Sequence, residues 1–127
     1  MEASQAKKLV TDYIEAYNTF DIDGMLRHLH EDVVFRNISG GEINLTTTGK
    51  ENFRQQAEQA KQYFSQREQR VTEWQIADNR VEVLIAYSAV AAMDFPNGLN
   101  AGDTLQLQGR SVFQFADSRI ISIDDIS

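Results

Sequence analysis

Tyr13-Ile14-Glu15-Ala16-Tyr17-Asn18-Thr19-Phe20-Asp21-Ile22-Asp23-Gly24-Met25-Leu26-Arg27-His28-Leu29-His30-Glu31-Asp32-Val33-Val34-Phe35-Arg36-Asn37 is the stretch that decides how this chain folds. Leu9, Tyr13, Tyr17 and Phe20 recur at helical spacing, and Val10 and Ile14 widen the stripe, which predicts a broadly packed helix over about Ser4 to Phe20. Phe20-Asp21 reads as a tight corner. Asp21 is placed to cap a second helix, and Asp23 adds negative charge that suits its N-terminal dipole. Ile22, Met25, Leu26 and Leu29 supply the buried side of that helix, and at Asp32-Val33-Val34-Phe35 the pattern becomes that of a strand. Helix, corner, helix and buried strand in this order, followed by one more helix and several strands, predict a small cone-shaped domain with an interior pocket.

Gly40-Gly41 marks a loop, and Leu45-Thr46-Thr47 suits a short extended piece. Thr48 and Glu51 stand at capping-box spacing ahead of Phe53, Ala57, Ala60 and Phe64, the clearest amphipathic helix of the chain. Its other side, Gln55, Gln56, Glu58, Gln59 and Gln62, is expected to face solvent. From Arg67 onward the pattern is β. Trp74 and Ile76 share a face, Asp78-Asn79 supplies a turn, and Val81 to Met93 reads as a long strand apolar on both sides. Asp94-Phe95-Pro96-Asn97-Gly98 opens a loop. Leu105, Leu107, Gly109, Ser111, Phe113 and Phe115 then face one way, with Gln106, Gln108, Arg110 and Gln114 facing the other. Ala116-Asp117-Ser118 turns into a last strand, Arg119 to Ile126. The expected class is α+β, three helices packed on a strongly curved, mixed but mostly antiparallel sheet.

The chain has 127 residues, read as a single domain over 1–127, and a domain near that size buries roughly 65–70% of its unfolded surface. Cysteine is absent, which excludes disulfides and thiolate metal sites. The first ten residues lack the apolar core of a secretory signal, and the most apolar run, Val83 to Met93, is far short of the roughly 20 residues that span a bilayer. A cytoplasmic protein without a membrane partner is the expectation. Nineteen acidic and twelve basic residues give a formal charge of −7, which argues against nucleic acid as a partner. Arg67 and Arg70, interleaved with Glu68 and followed by Glu73, read as a solvated strand edge of mixed charge.

Tyr13-(x)4-Asn18, Asp21-Ile22-Asp23-Gly24, Leu29, Glu31-Asp32-Val33-Val34-Phe35 and Phe113-x-Phe115 before the last hairpin resemble the nuclear transport factor 2-like superfamily, which includes ketosteroid isomerase and the SnoaL-like polyketide cyclases. The resemblance spans the whole chain in element order. It implies a curved sheet wrapped around a helix, a pocket at the open end of the cone, no cofactor, and a homodimer joined through the outer face of the sheet. Ketosteroid isomerase needs a carboxylate base together with a tyrosine and a protonated acid that hold an oxyanion. Carried over by the resemblance, the oxyanion tyrosine falls on Tyr13, the base position on Asn37 and the second acid on Ser111. An amide accepts no proton near neutral pH, so steroid isomerisation by that route is not expected. The cyclases carry an acid near the end of the sheet, and the nearest match is Asp125, on the side of Ile121 and Ile123, with Asp124 on the side of Ser122; a shift of one residue would put Asp124 in that part instead.

Each candidate has a plainer reading beside the functional one. Tyr13 on an apolar stripe is also a packed tyrosine. Asn37 follows Val33 and Phe35 on one strand face, where a buried amide needs a structural partner or a ligand. Asp125 near the terminus is also an ordinary surface acid. Tyr17, Trp74, Tyr87, Ser111 and Phe113 are candidate walls of a pocket for a small lipophilic ligand, or simply core. His28 and His30, two apart on the second helix, splay to different sides and hold no metal between them; near a helix C-terminus they suit the dipole. Three functions stand: a cofactor-independent isomerase or cyclase-like enzyme acting on a carbonyl compound, a non-catalytic binder of a small apolar molecule, and a dimeric interaction module.

Overall fold

The computed structural model describes residues 1–127. In chain order the elements are α1 (Ala3–Asn18), α2 (Ile22–Leu26), β1 (Leu29–Ser39), β2 (Glu42–Thr48), α3 (Lys50–Ala60), a short 3-10 turn (Lys61–Tyr63), β3 (Phe64–Ala77), β4 (Arg80–Ala91), β5 (Thr104–Ala116) and β6 (Arg119–Ile126). The six strands form one sheet in the order β2-β1-β6-β5-β4-β3. Neighbours are antiparallel except β1 and β6, which run parallel. The sheet is strongly curved but unclosed, with β2 and β3 as edges, so the fold is an α+β cone rather than a barrel. No helix is long and apolar enough to cross a membrane.

α1 forms because its apolar stripe has a partner: Leu9, Val10, Tyr13 and Ile14 are all buried against the sheet. It ends at a corner where Phe20 takes a left-handed φ of 59° and the Asp21 N–H donates to the Ala16 carbonyl at 2.9 Å. The Asp21 carboxylate then accepts from the Gly24 N–H at 3.0 Å, the expected cap of α2. A Cβ on Gly24 would lie 2.9 Å from the Ala16 Cβ, so this glycine is what lets α2 sit against α1. α2 is shorter than expected. It stops at Leu26, so Leu29 is buried from β1, His28 lies in the connecting turn and His30 in β1, neither on a helix. His28 Nε2 instead meets the Asp12 carboxylate at 2.9 Å.

The capping box at Thr48 does not form. Thr48 stays in β2 opposite Val34, and Gly49, at φ 90°, takes the N-cap position of α3. Its N–H donates to the Val33 carbonyl at 2.8 Å, which ties the helix start to β1. α3 packs through Phe53 and Ala57, with the Phe53 ring 5.7 Å from Phe35 and 6.4 Å from Tyr13.

Two β-bulges control which residues face inward. In β3 the pairing steps from Val71↔Ile85 to Glu73↔Leu84, leaving Thr72 over, so Arg67, Gln69 and Val71 share the concave face with Trp74 and Ile76. In β6 the pairing steps from Ser122↔Gln114 to Ile120↔Phe115, leaving Ile121 over. Ile120 and Ile123 are therefore the fully buried isoleucines of β6, and Ile121 is not on their side as strict alternation predicts. The narrow end of the cone is plugged by Val10, Leu29, Val33, Val81, Val83, Phe113, Ile120 and Ile123, all essentially without exposed surface. Beyond that plug the concave face is left open.

Candidate functional site

Above the plug, one register row crosses the whole sheet: Leu45, Asn37, Asp125, Ser111, Val83 and Trp74 stand opposite one another in turn. The first four border a cavity of about 390 Å³, within the size range of roughly 300–1,000 Å³ usual for small-molecule sites. α1 forms its ceiling with Tyr13 and Tyr17, and α3 one flank with Phe53 and Gln56. On another flank Tyr63 and Phe64 are held by Phe95 of the β4–β5 loop, which stacks on Phe64 at 5.9 Å.

Asp125 is the acid of this cavity. Its neighbour in register, Ser111, donates its hydroxyl to Asp125 Oδ1 at 2.7 Å. Asp125 keeps some surface because the cavity opens one side of it, yet protein surrounds it in depth. That desolvation pushes its carboxyl up to about 6; the Ser111 bond opposes the rise and the adjacent Asp124 charge adds to it. Asp124 points to the opposite face of the strand, where Arg36 grips it with two hydrogen bonds of 2.8 and 2.6 Å. Alternation thus assigns one aspartate to the cavity and the other to the outer surface.

Tyr13 is 3% exposed and lines the cavity, and its hydroxyl has no protein partner without being fully buried. Burial first, and then the Asp125 charge, push its phenol up, so it stays a donor. Tyr17 and Tyr87 share a hydrogen bond of 2.9 Å between hydroxyls, and burial raises both. Only one proton can lie between two hydroxyls, so the other remains free to donate to a ligand. Asn37 also lines the cavity, but as an exposed residue at its mouth, not as the buried amide expected.

Two candidate walls lie elsewhere. Phe113 belongs to the plug, 1% exposed and edge-on to Tyr13 at 5.7 Å. Trp74 packs against the core beyond Val83, with the Lys7 ammonium 5.0 Å over its ring. Gln56, expected in solvent, lines the cavity.

The largest departure is Arg67. It is no solvated edge residue but 6% exposed, and it lines the cavity. Its Nε donates to the Tyr17 carbonyl at 2.8 Å, near the negative end of α1, and its guanidinium carbon lies 3.7 Å from the Tyr17 ring centre and 4.4 Å from that of Phe20. Next to it, Asn18 clamps the β3 edge, accepting from the Gln69 N–H at 2.7 Å and donating to the Gln69 carbonyl at 3.1 Å. Arg70, one register step on, is exposed. The signal for Arg67 lay in its parity with Gln69 and Val71, which the bulge at Thr72 separates from that of Trp74.

An unclosed, six-stranded curved sheet around α1, with its cavity at the open end, defines a nuclear transport factor 2-like α+β cone. The SnoaL-like domain family matches residues 10–123, and the chain belongs to it. A candidate polyketide cyclase from Xanthomonas campestris pv. campestris is similar with a TM-score of 0.83 at 24% identity, over 98% of this chain and 90% of that one. An NTF2-like protein of unknown function from Burkholderia pseudomallei K96243 is similar at 0.78 and 20%, over 98% and 90%. An LEH-like epoxide hydrolase from M. tuberculosis is similar at 0.77 and 16%, over 97% and 82%. At such identities the likeness establishes the fold alone. No curated protein matches the sequence.

Proposed function

We propose that this protein is a cofactor-independent isomerase or cyclase-like enzyme acting on a small lipophilic carbonyl compound, with Asp125 as the base. The observation that carries the reading is the Asp125 carboxyl, bonded to Ser111 and lining a mostly apolar cavity, where desolvation pushes it up to about 6. A base poised there is ionised at neutral pH yet still basic enough to take a proton from carbon next to a carbonyl. The C–H electron pair moves onto the carbonyl oxygen, and Tyr13 donates to the resulting enolate oxygen. Asp125, now protonated, returns the proton to another carbon in an isomerisation. In a cyclisation the enolate carbon bonds to a second carbonyl and the proton goes to its oxygen. Asn37 at the mouth orients the substrate without titrating.

The test is deuterium exchange next to the carbonyl of lipophilic ketones and β-dicarbonyls in heavy water, followed by NMR. The native protein should accelerate exchange and Asp125→Asn should not; equal rates remove Asp125 from the reaction. Asn37, where the isomerase has its base, favours the alternative of a non-catalytic carrier, which would return a co-purified ligand chemically unchanged in native mass spectrometry.

A homodimer through the outer face of the sheet is part of the same proposal. That face carries Arg36 with Asp124, and Glu82 between Arg80 and Arg110, around the exposed Leu84. Light scattering at micromolar concentration should give twice the chain mass, and a monomer removes the dimer.

A further inference from the structure

Arg67 is a buried cation without a counter-ion. No carboxylate lies within ion-pair distance of it, and its protein partners are one carbonyl on Nε and the Met25 sulfur, 4.0 Å from Nη2. Nη1 donates to nothing in the protein. It is nevertheless not a sealed orphan, because Thr47 Oγ1 is the one fully buried side-chain polar atom without a partner; Nη1 keeps accessible surface, and Arg67 lines the cavity. Burying a charge unpaired is costly, and an arginine cannot lose its proton to escape that cost. The tyrosine and phenylalanine faces and the end of α1 offset only part of it. Phe20 reaches the guanidinium from a left-handed backbone conformation that a bulky residue rarely adopts. The surroundings hold the cation in place and leave one edge of its donor fork unused.

The fork and the acid stand at opposite ends of the cavity. Arg67 pairs in register with Ala89 and through it Leu105, whereas Asp125 pairs with Ser111, six residues along β5. α1 runs between them, with Tyr13 nearer the acid and Tyr17 against the arginine. We infer that the cavity takes an apolar ligand bearing an anionic oxygen group, a carboxylate foremost, seated on the Nη1 edge of Arg67 with its body extending toward Asp125. A planar carboxylate matches the guanidinium fork, and the free proton of the Tyr17–Tyr87 pair gives its oxygens a further donor. Desolvated by the same apolar walls, such a pair strongly discriminates against a neutral ligand of equal shape.

This inference rests on the cavity being the ligand site, as proposed above, but not on Asp125 acting as a base. The experiment uses two nearly isosteric probes, naphthalene-2-carboxylate and its neutral amide, titrated calorimetrically at neutral pH into the native protein, Arg67→Met and Asp125→Asn. The carboxylate should bind about tenfold or more tightly than the amide, Arg67→Met should abolish that preference, and Asp125→Asn should keep it. A second reading needs no folded variant at position 67. With methyl-labelled methionine, Met25 is the one buried methionine of three, and its methyl should shift saturably with the carboxylate before it does with the amide. Equal affinities, no binding of the carboxylate, a preference that survives in folded Arg67→Met, or a Met25 signal indifferent to charge each overturn the inference. A preference that holds while exchange proves independent of Asp125 sinks the catalytic reading alone.

Discussion

Asp124 and Asp125 are adjacent in the chain and live in opposite electrostatic worlds. Asp124 faces outward into a two-pronged ion pair with Arg36, on a face where Glu82 also serves Arg80 and Arg110. Asp125 faces inward, with one serine hydroxyl and no cation to stabilise its charge. A similar contrast holds between the two faces of the sheet: on the outer face Arg36 pairs with Asp124 and Glu82 with Arg80 and Arg110, whereas Asp125 and Arg67 on the inner face share the cavity without pairing. Paired surface charges are explained by solvation and weak mutual attraction. Unpaired, desolvated ones are the costly arrangement, and they concentrate where a ligand or reaction uses them.

The largest effect expected from breaking this contrast is on turnover. Asp125→Asn should lower the exchange rate by roughly 10²–10⁴-fold, and the native rate should rise with pH through about 6 as the carboxyl ionises. Tyr13→Phe removes the donor to the enolate oxygen and should cost about 10²-fold at an unchanged pH midpoint, read in the same assay.

Stability should move the other way. The folded pKa of Asp125 lies above its ordinary value, so the native state holds a proton the unfolded chain has released. The associated stability is complete below pH 3.8 and is lost as pH rises through about 6. Asp125→Asn carries no such loss. Urea unfolding should therefore find the variant gaining on the native protein between those pH values, by up to about 2–3 kcal/mol at 1.36 kcal/mol per unit and less where cavity water reaches the carboxylate. A stability difference between the two that does not change across those pH values contradicts a raised Asp125 carboxyl.

How much of this was legible beforehand depended on where strand parity was interrupted. The α1 stripe, the Asp21 cap, the β5 alternation and the joint inward face of Ile123 and Asp125 need only local periodicity, and they stand in the structure. Arg67 did not follow, because the extra residue Thr72 flips parity between Val71 and Trp74. Read from Trp74 backward, Arg67 falls outside; read from Val71, it falls inside. Its burial further requires Tyr17 and Phe20 to fold over it from α1, a tertiary contact that no local pattern announces. The missed Thr48 cap has a similar cause, since pairing with Val34 keeps Thr48 in β2.

Two smaller effects sharpen the comparison. Ser111→Ala removes the bond that holds the Asp125 carboxyl down, so the pH midpoint of exchange should move upward, with a modest loss of rate. A midpoint that moves downward would mean the serine acts otherwise. Asp124→Asn should leave the exchange rate within about twofold, and only slightly lower the melting temperature, because it alters an outer-face pair.

The most direct measurement is the carboxyl carbon titration of the aspartates by NMR, with Asp125→Asn identifying one resonance. This resonance should titrate near pH 6, its midpoint rising further in Ser111→Ala. If the resonance missing from Asp125→Asn titrates instead near 3.9, the ordinary value for an exposed aspartate, then Asp125 is a solvated acid and the proposed base is lost.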